Sequence, residues 1–138
     1  MPNIPVNVDD LPTDYDPLPD DISYRGVIRS LEIKGPDKNG DDYLKVSLEV
    51  TEPEEWAGRR TTDNYIGIPG DLDALSGPAL RQAREKGVRL ARFIKAFKIP
   101  YSSKGIDTDA AIGCEGAFTV KVEMYQDRPM SKPNDYLI

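Results

Sequence analysis

The sequence predicts a mainly β domain, a five-stranded barrel of order β-β-β-α-β-β with one helix between its third and fourth strands. Three observations carry this. Two stretches alternate apolar and polar residues with period two, as half-buried strands do. One stretch repeats apolar residues at helical spacing. The first 20 residues are Pro-rich and acidic and read as an arm attached to a domain at 21–138.

The arm holds Pro2, Pro5, Pro12, Pro17 and Pro19. Few of its side chains are large and apolar, so burial offsets little of the entropy of ordering. An unstructured or loosely docked segment is expected. The first strand spans Ile22 to Lys34. Ile22, Tyr24 and Ile28 share one parity and Leu31 and Ile33 the other, which predicts a bulge near Arg29–Ser30. Turn residues follow, with Asn39-Gly40 the sharpest hairpin signal. The second strand, Tyr43 to Thr51, puts Leu44, Val46, Leu48 and Val50 on a core face. Tyr43, Lys45, Ser47, Glu49 and Thr51 occupy the other. After a connection carrying Trp56, a third strand is expected from Arg59 to Ile68. Ile66 and Ile68 would point inward, and Arg59, Thr61, Asp63 and Tyr65 outward. Pro69-Gly70 stops it.

A helix is expected from Ala79 to Lys98, with Pro78 before its first turn, where the missing N–H costs nothing. Leu90, Phe93, Ile94 and Phe97 form its buried stripe, Gly87 weakens its middle and Pro100 ends it. The fourth strand, Ile112 to Tyr125, aligns Ile112, Cys114, Phe118, Val120, Val122 and Met124 on one face. Tyr136-Leu137-Ile138 reads as a last, short strand. This order is that of the OB fold, which binds oligonucleotides on strands two and three and the loops beside them. An SH3-like barrel lacks the long helix. A ferredoxin-like fold needs a helix after strand one, where the Asn39-Gly40 turn leaves no room.

Composition narrows the chemistry. At 138 residues the chain suits one domain and can bury a core without disulfide or metal. There is no histidine, and Cys114 is the one cysteine. Ser-His-Asp triads, Cys-His pairs and His- or Cys-rich zinc sites are therefore excluded. A single thiol and no signal-like N-terminus give the expectation of a cytoplasmic protein, and no apolar run approaches a membrane span. The formal charge is −6, but Asp9, Asp10, Asp14, Asp16, Asp20 and Asp21 precede the first base, Arg25. Past residue 23 the remaining 18 acids and 18 bases cancel, so the acidity belongs to the arm.

Three constellations compete with ordinary explanations. The outward face of strands two and three offers Tyr43, Lys45, Arg59 and Tyr65, with Trp56, Arg60 and Lys38 in adjoining loops or edges. Flat rings beside cations suit single-stranded nucleic acid, although the same tyrosines serve equally as cross-strand partners and Trp56 as a plug. The helix carries Arg81, Arg84, Lys86, Arg89, Arg92, Lys95 and Lys98 against Glu85. That run is a solvated face, a phosphate track or a dock for the acidic arm. The carboxylate pairs Asp41–Asp42, Glu54–Glu55 and Asp71/Asp73 sit among turn residues and read as solvated acids rather than a metal site.

Three runs carry a family resemblance: Tyr24-Arg25-Gly26-Val27-Ile28, Lys38-Asn39-Gly40-Asp41-Asp42-Tyr43-Leu44-Lys45-Val46 and Trp56-Ala57-Gly58-Arg59-Arg60. Over residues 20–138 the chain resembles the OB-fold single-stranded-DNA-binding proteins of phage and prophage recombination and replication cassettes. The resemblance implies a cytoplasmic DNA binder in replication, recombination or repair, and with no catalytic constellation in the sequence a non-enzymatic protein without cofactor is expected. It often self-associates and works beside a recombinase, helicase or polymerase. It brings Arg25 into the nucleic-acid-binding set. The alternative is an OB module that binds a host or replisome protein.

Overall fold

The computed structural model describes residues 2–11, 16–36, 40–70, 72–103 and 105–138. The chain is mainly β, with one main helix and a sheet of five antiparallel strands. The strands are β1 (Ser23–Lys34), β2 (Tyr43–Glu52), β3 (Asn64–Gly67), β6 (Glu115–Tyr125) and β7 (Arg128–Leu137). Between β3 and β6 lie the helix α1 (Gly77–Ala96), a two-residue hairpin of β4 (Tyr101–Ser102) and β5 (Gly105–Ile106), and the single turn α2 (Thr108–Ala111). Sheet order is β3-β2-β1-β6-β7.

β1 behaves as its parity slip predicts. Its register against β2 shifts between Ile28 and Ser30, leaving Arg29 as the extra residue. Its first half also pairs with β6, so one strand joins both halves of the sheet. β2 keeps its alternation: Leu44, Val46, Leu48 and Val50 are buried. The Asn39-Gly40 turn falls partly outside the described residues, and the hairpin itself closes with Lys34 opposite Tyr43.

The third strand is shorter than expected because a second bulge precedes it. Arg60 bridges to Glu49, whereas Asn64 pairs with Val46. Four steps along one strand face three along the other, and the extra residue flips the side-chain parity. Thr61, expected outward, is therefore turned in and only 6 % exposed, and Asn64 is buried too. Ile66 points inward as expected; Ile68 is half-buried.

The last strand was expected to be three residues and is ten. Pro129, Pro133 and the polar residues between them disguise it. Ser131 O accepts from Thr62 N–H, so at this parity the backbone faces away from β6. The two prolines share that parity and cost β7 no bond to β6. β6 starts at Glu115, later than expected, so Ile112 precedes it and is exposed. Its far end outruns the core, which leaves Met124 exposed against expectation; Ile33 at the end of β1 is exposed for the same reason.

α1 starts two residues earlier than expected and runs through Gly87. Phe93 and Phe97 are fully buried, with the Phe93 ring 5.1 Å from that of Tyr136. Burying each phenyl contributes about 1.5–3 kcal/mol. The helix end seats on Gly116, whose cross-strand partner Gly26 makes room for the Phe118 ring. A Cβ on Gly116 would stand 2.6 Å from Ala96 O. The sheet's two edges, β3 and β7, also meet: Thr62 N–H donates to Ser131 O at 2.9 Å, and Asn64 Nδ2 donates to Tyr136 Oη.

Residues 16–20 lie against this body. Leu18 is fully buried and its N–H donates to Ser131 Oγ at 2.7 Å. Residues 2–11 are exposed throughout. No helix among the described residues is long and apolar enough to cross a membrane.

Candidate nucleic-acid interface

A groove runs between the Arg59–Tyr65 segment and the β6–β7 hairpin. It comprises two adjoining concavities of about 400 and 650 Å³ that share Thr62, Tyr125 and Met130. The hairpin reverses through Gln126 and Asp127, which both adopt positive φ, 51° and 63°, the geometry of a tight two-residue turn. Its strands hold Tyr125 opposite Arg128 and Met130 opposite Glu123.

Cations ring this groove. Arg59, Arg60 and Arg128 line one concavity and Lys132 the other, with Asp63 and Glu123 as the acids. Glu123 is held below the usual carboxylate range, first by its hydrogen bond from Lys121 and then by the charge of Lys132. Glu49 is lowered in the same sense by Arg29, whose guanidinium sits 2.8 Å away. Two exposed rings stand in the groove: Tyr65 at 55 % and Tyr125 at 62 %.

The residues singled out in the sequence fall into three groups. Tyr43, Lys45 and Tyr65 share the outward face of β2 and β3. Tyr43 packs edge-on against Tyr65, with centroids 5.5 Å apart, and Lys45 pairs with Asp63 at 3.5 Å. Tyr43 is half-buried in that contact, so Tyr65 presents the more open ring. Arg59 and Arg60 reach the same groove from its other end. Arg59 also lies 5.7 Å over the Trp56 ring and donates to Asp16 O, which ties the incoming arm to the groove's edge. Trp56 is partly buried against the core, as the plug reading expects. Arg25 stands apart: it pairs opposite Glu52 and lines a separate concavity with Pro53 and Glu55. Lys38 lies outside the described residues.

Sequence reading missed Tyr125, Arg128, Met130 and Lys132. They belong to the hairpin whose second strand was disguised by prolines. The available signal was a clean alternating strand ending at Tyr125, followed by Gln126-Asp127, a turn pair weaker than Asn-Gly.

The basic helix is partly consumed by the fold. Lys86 pairs with Asp41 at 3.1 Å. Arg92 pairs with Asp135 at 3.3 Å and donates to Tyr136 O. Arg89 donates to Asn134 O and covers the Tyr136 ring. Among the described residues no three of His, Cys, Asp or Glu cluster so as to hold a metal ion. No protein-family model matches this chain, and neither does any curated protein.

Proposed function

We propose that the protein is an OB-fold single-stranded-DNA-binding protein that acts, without catalysis, in phage-type replication, recombination or repair. Strand order, the contact of the segment just before β3 with β7 at Thr62–Ser131, and a helix placed between β3 and β6 support the OB reading. The groove carries the functional one. Tyr65 and Tyr125 expose rings on which bases can stack, and Arg60, Arg128 and Lys132 line the same two concavities, where they can meet phosphates. Arg and Lys attract phosphate whatever the base sequence, so the expected ligand is single-stranded and read with little sequence preference.

The exposed Met124 and Tyr125 at the hairpin tip favour one second reading, a groove for an apolar segment of a replication partner. Fluorescence anisotropy with labelled single-stranded, duplex and RNA oligonucleotides separates the two. Salt-sensitive binding of the single strand, weakened by Tyr65→Ala and Lys132→Ala, supports the first. No binding to any of the three at low salt overturns it.

A further inference from the structure

One face of α1 is left over by the fold. Arg81, Arg84, Val88, Ala91 and Lys95 form a single exposed stripe at helical spacing, and Lys98 continues it past the helix end. Unlike Lys86 and Arg92, which pair with Asp41 and Asp135, these four cations have no charged partner among the described residues. Val88, in the middle of the stripe, is 60 % exposed.

The arm carries the complementary surface. Val8–Asp10 form one 3-10 turn, capped by Asn7, whose side chain accepts from Asp9 N–H and donates to Asp10 Oδ2 at 3.1 Å. The turn thus presents Asp9 and Asp10 together with Val8, 71 % exposed, and Leu11, 52 % exposed. Every residue from Pro2 to Leu11 is exposed in the single chain, so the chain's own body offers these apolar side chains no cover.

We propose that the stripe on α1 receives the acidic N-terminal turn of a second copy of the chain. Both components of the match are present: cations at the two ends of the stripe meet Asp9 and Asp10, and Val88 with Ala91 meets Val8 and Leu11. A phosphate chain gains from the cations alone, because the centre of the stripe offers no ring on which a base could stack. An apolar, acidic turn gains from both. The arm is tied to its own body at Asp16 and Leu18, which leaves the turn free to reach outward. Each copy offers one turn and one stripe, so two copies close into a pair by exchanging turns, or further copies extend the contact into rows. The inference does not need the groove to bind nucleic acid.

A charge-swap experiment without nucleic acid tests it. Sedimentation velocity at low salt should show the full chain associating as its concentration rises, and dispersing as salt screens the pairs. Asp9→Lys with Asp10→Lys should weaken association roughly ten-fold, and so should Arg81→Glu with Arg84→Glu and Lys95→Glu. Mixing the two swapped proteins should restore it, because the reversed turn of one meets the reversed stripe of the other. Circular dichroism checks that both remain folded. A wild-type chain that stays monomeric at low salt overturns the proposal, as does association that survives both swaps or fails to return on mixing. If the stripe reversal lowers oligonucleotide affinity while leaving association unchanged, the stripe is a nucleic-acid surface and the proposal fails.

Discussion

Two kinds of residue decide most here: the rings left exposed and the glycines that cannot grow. Tyr65 stands open in the groove while Tyr43 spends an edge on it, so the two are not equivalent. Tyr65→Ala should weaken single-strand binding by about 1–3 kcal/mol in an anisotropy titration, and Tyr43→Ala should weaken it less. Lys132→Ala should reduce the slope of log affinity against log salt by about 0.7, one phosphate contact on a single strand. Gly116 is the opposite case. A methyl there would meet Ala96 O at 2.6 Å and the Phe97 ring at 2.8 Å. Gly116→Ala should cost about 1–3 kcal/mol in denaturant unfolding, because helix end and strand must move apart.

At the scale of elements, the bulges at Arg29 and ahead of β3 shape the groove and the sheet that holds it. The first lets β1 serve both halves of the sheet. The second turns Thr62 toward Ser131 and brings the Arg59–Arg60 pair alongside the β6–β7 hairpin. The hairpin supplies the groove's far wall and stands outside the core, with Met124 and Tyr125 exposed. Changing its tip should therefore affect binding far more than stability. Tyr125→Ala is expected to lower single-strand affinity by about 1–3 kcal/mol, with the thermal midpoint nearly unchanged. Equal loss of both would place the hairpin in the core.

For the whole molecule, the arm and the core meet at Leu18. Removing residues 1–20 takes Leu18 out of the core and should cost about 2–5 kcal/mol, the range for truncating a buried leucine. Removing residues 1–11 spares it and should leave stability unchanged in the same melt. That shorter truncation also deletes Asp9 and Asp10, and with them part of the arm's repulsion toward phosphate. Single-strand affinity at low salt should rise, and the gain should fade as salt increases. Core burial sets the alkaline limit. Burial pushes the Tyr136 hydroxyl up to about 12, and Tyr24 likewise, from 10.0. The unfolded chain therefore ionises first, so the stability these rings contribute is complete below about pH 10 and is lost as pH rises toward 12. Equilibrium unfolding followed between those limits should show this loss. A flat profile would mean the rings open to water.

The sequence alone determined what local chemistry dictates. Period-two alternation located β2, helical spacing located α1, and the parity slip located the bulge at Arg29, because each is written in neighbouring residues. Composition removed histidine and disulfide chemistry outright. Tertiary structure decided what depends on distant partners. Prolines forbid a strand only where an N–H is needed, and which edge of β7 needed none was set by β6. Thr61 faced inward because of a bulge whose partner strand lies a dozen residues away. The same distance hid half the groove. Arg60 and Tyr65 were legible as candidates, but Tyr125, Arg128 and Lys132 join them only because the chain's two sheet edges meet. Charge on α1 was countable in the sequence. Which cations the fold consumes at Asp41 and Asp135, and which it leaves facing outward, is fixed by packing alone.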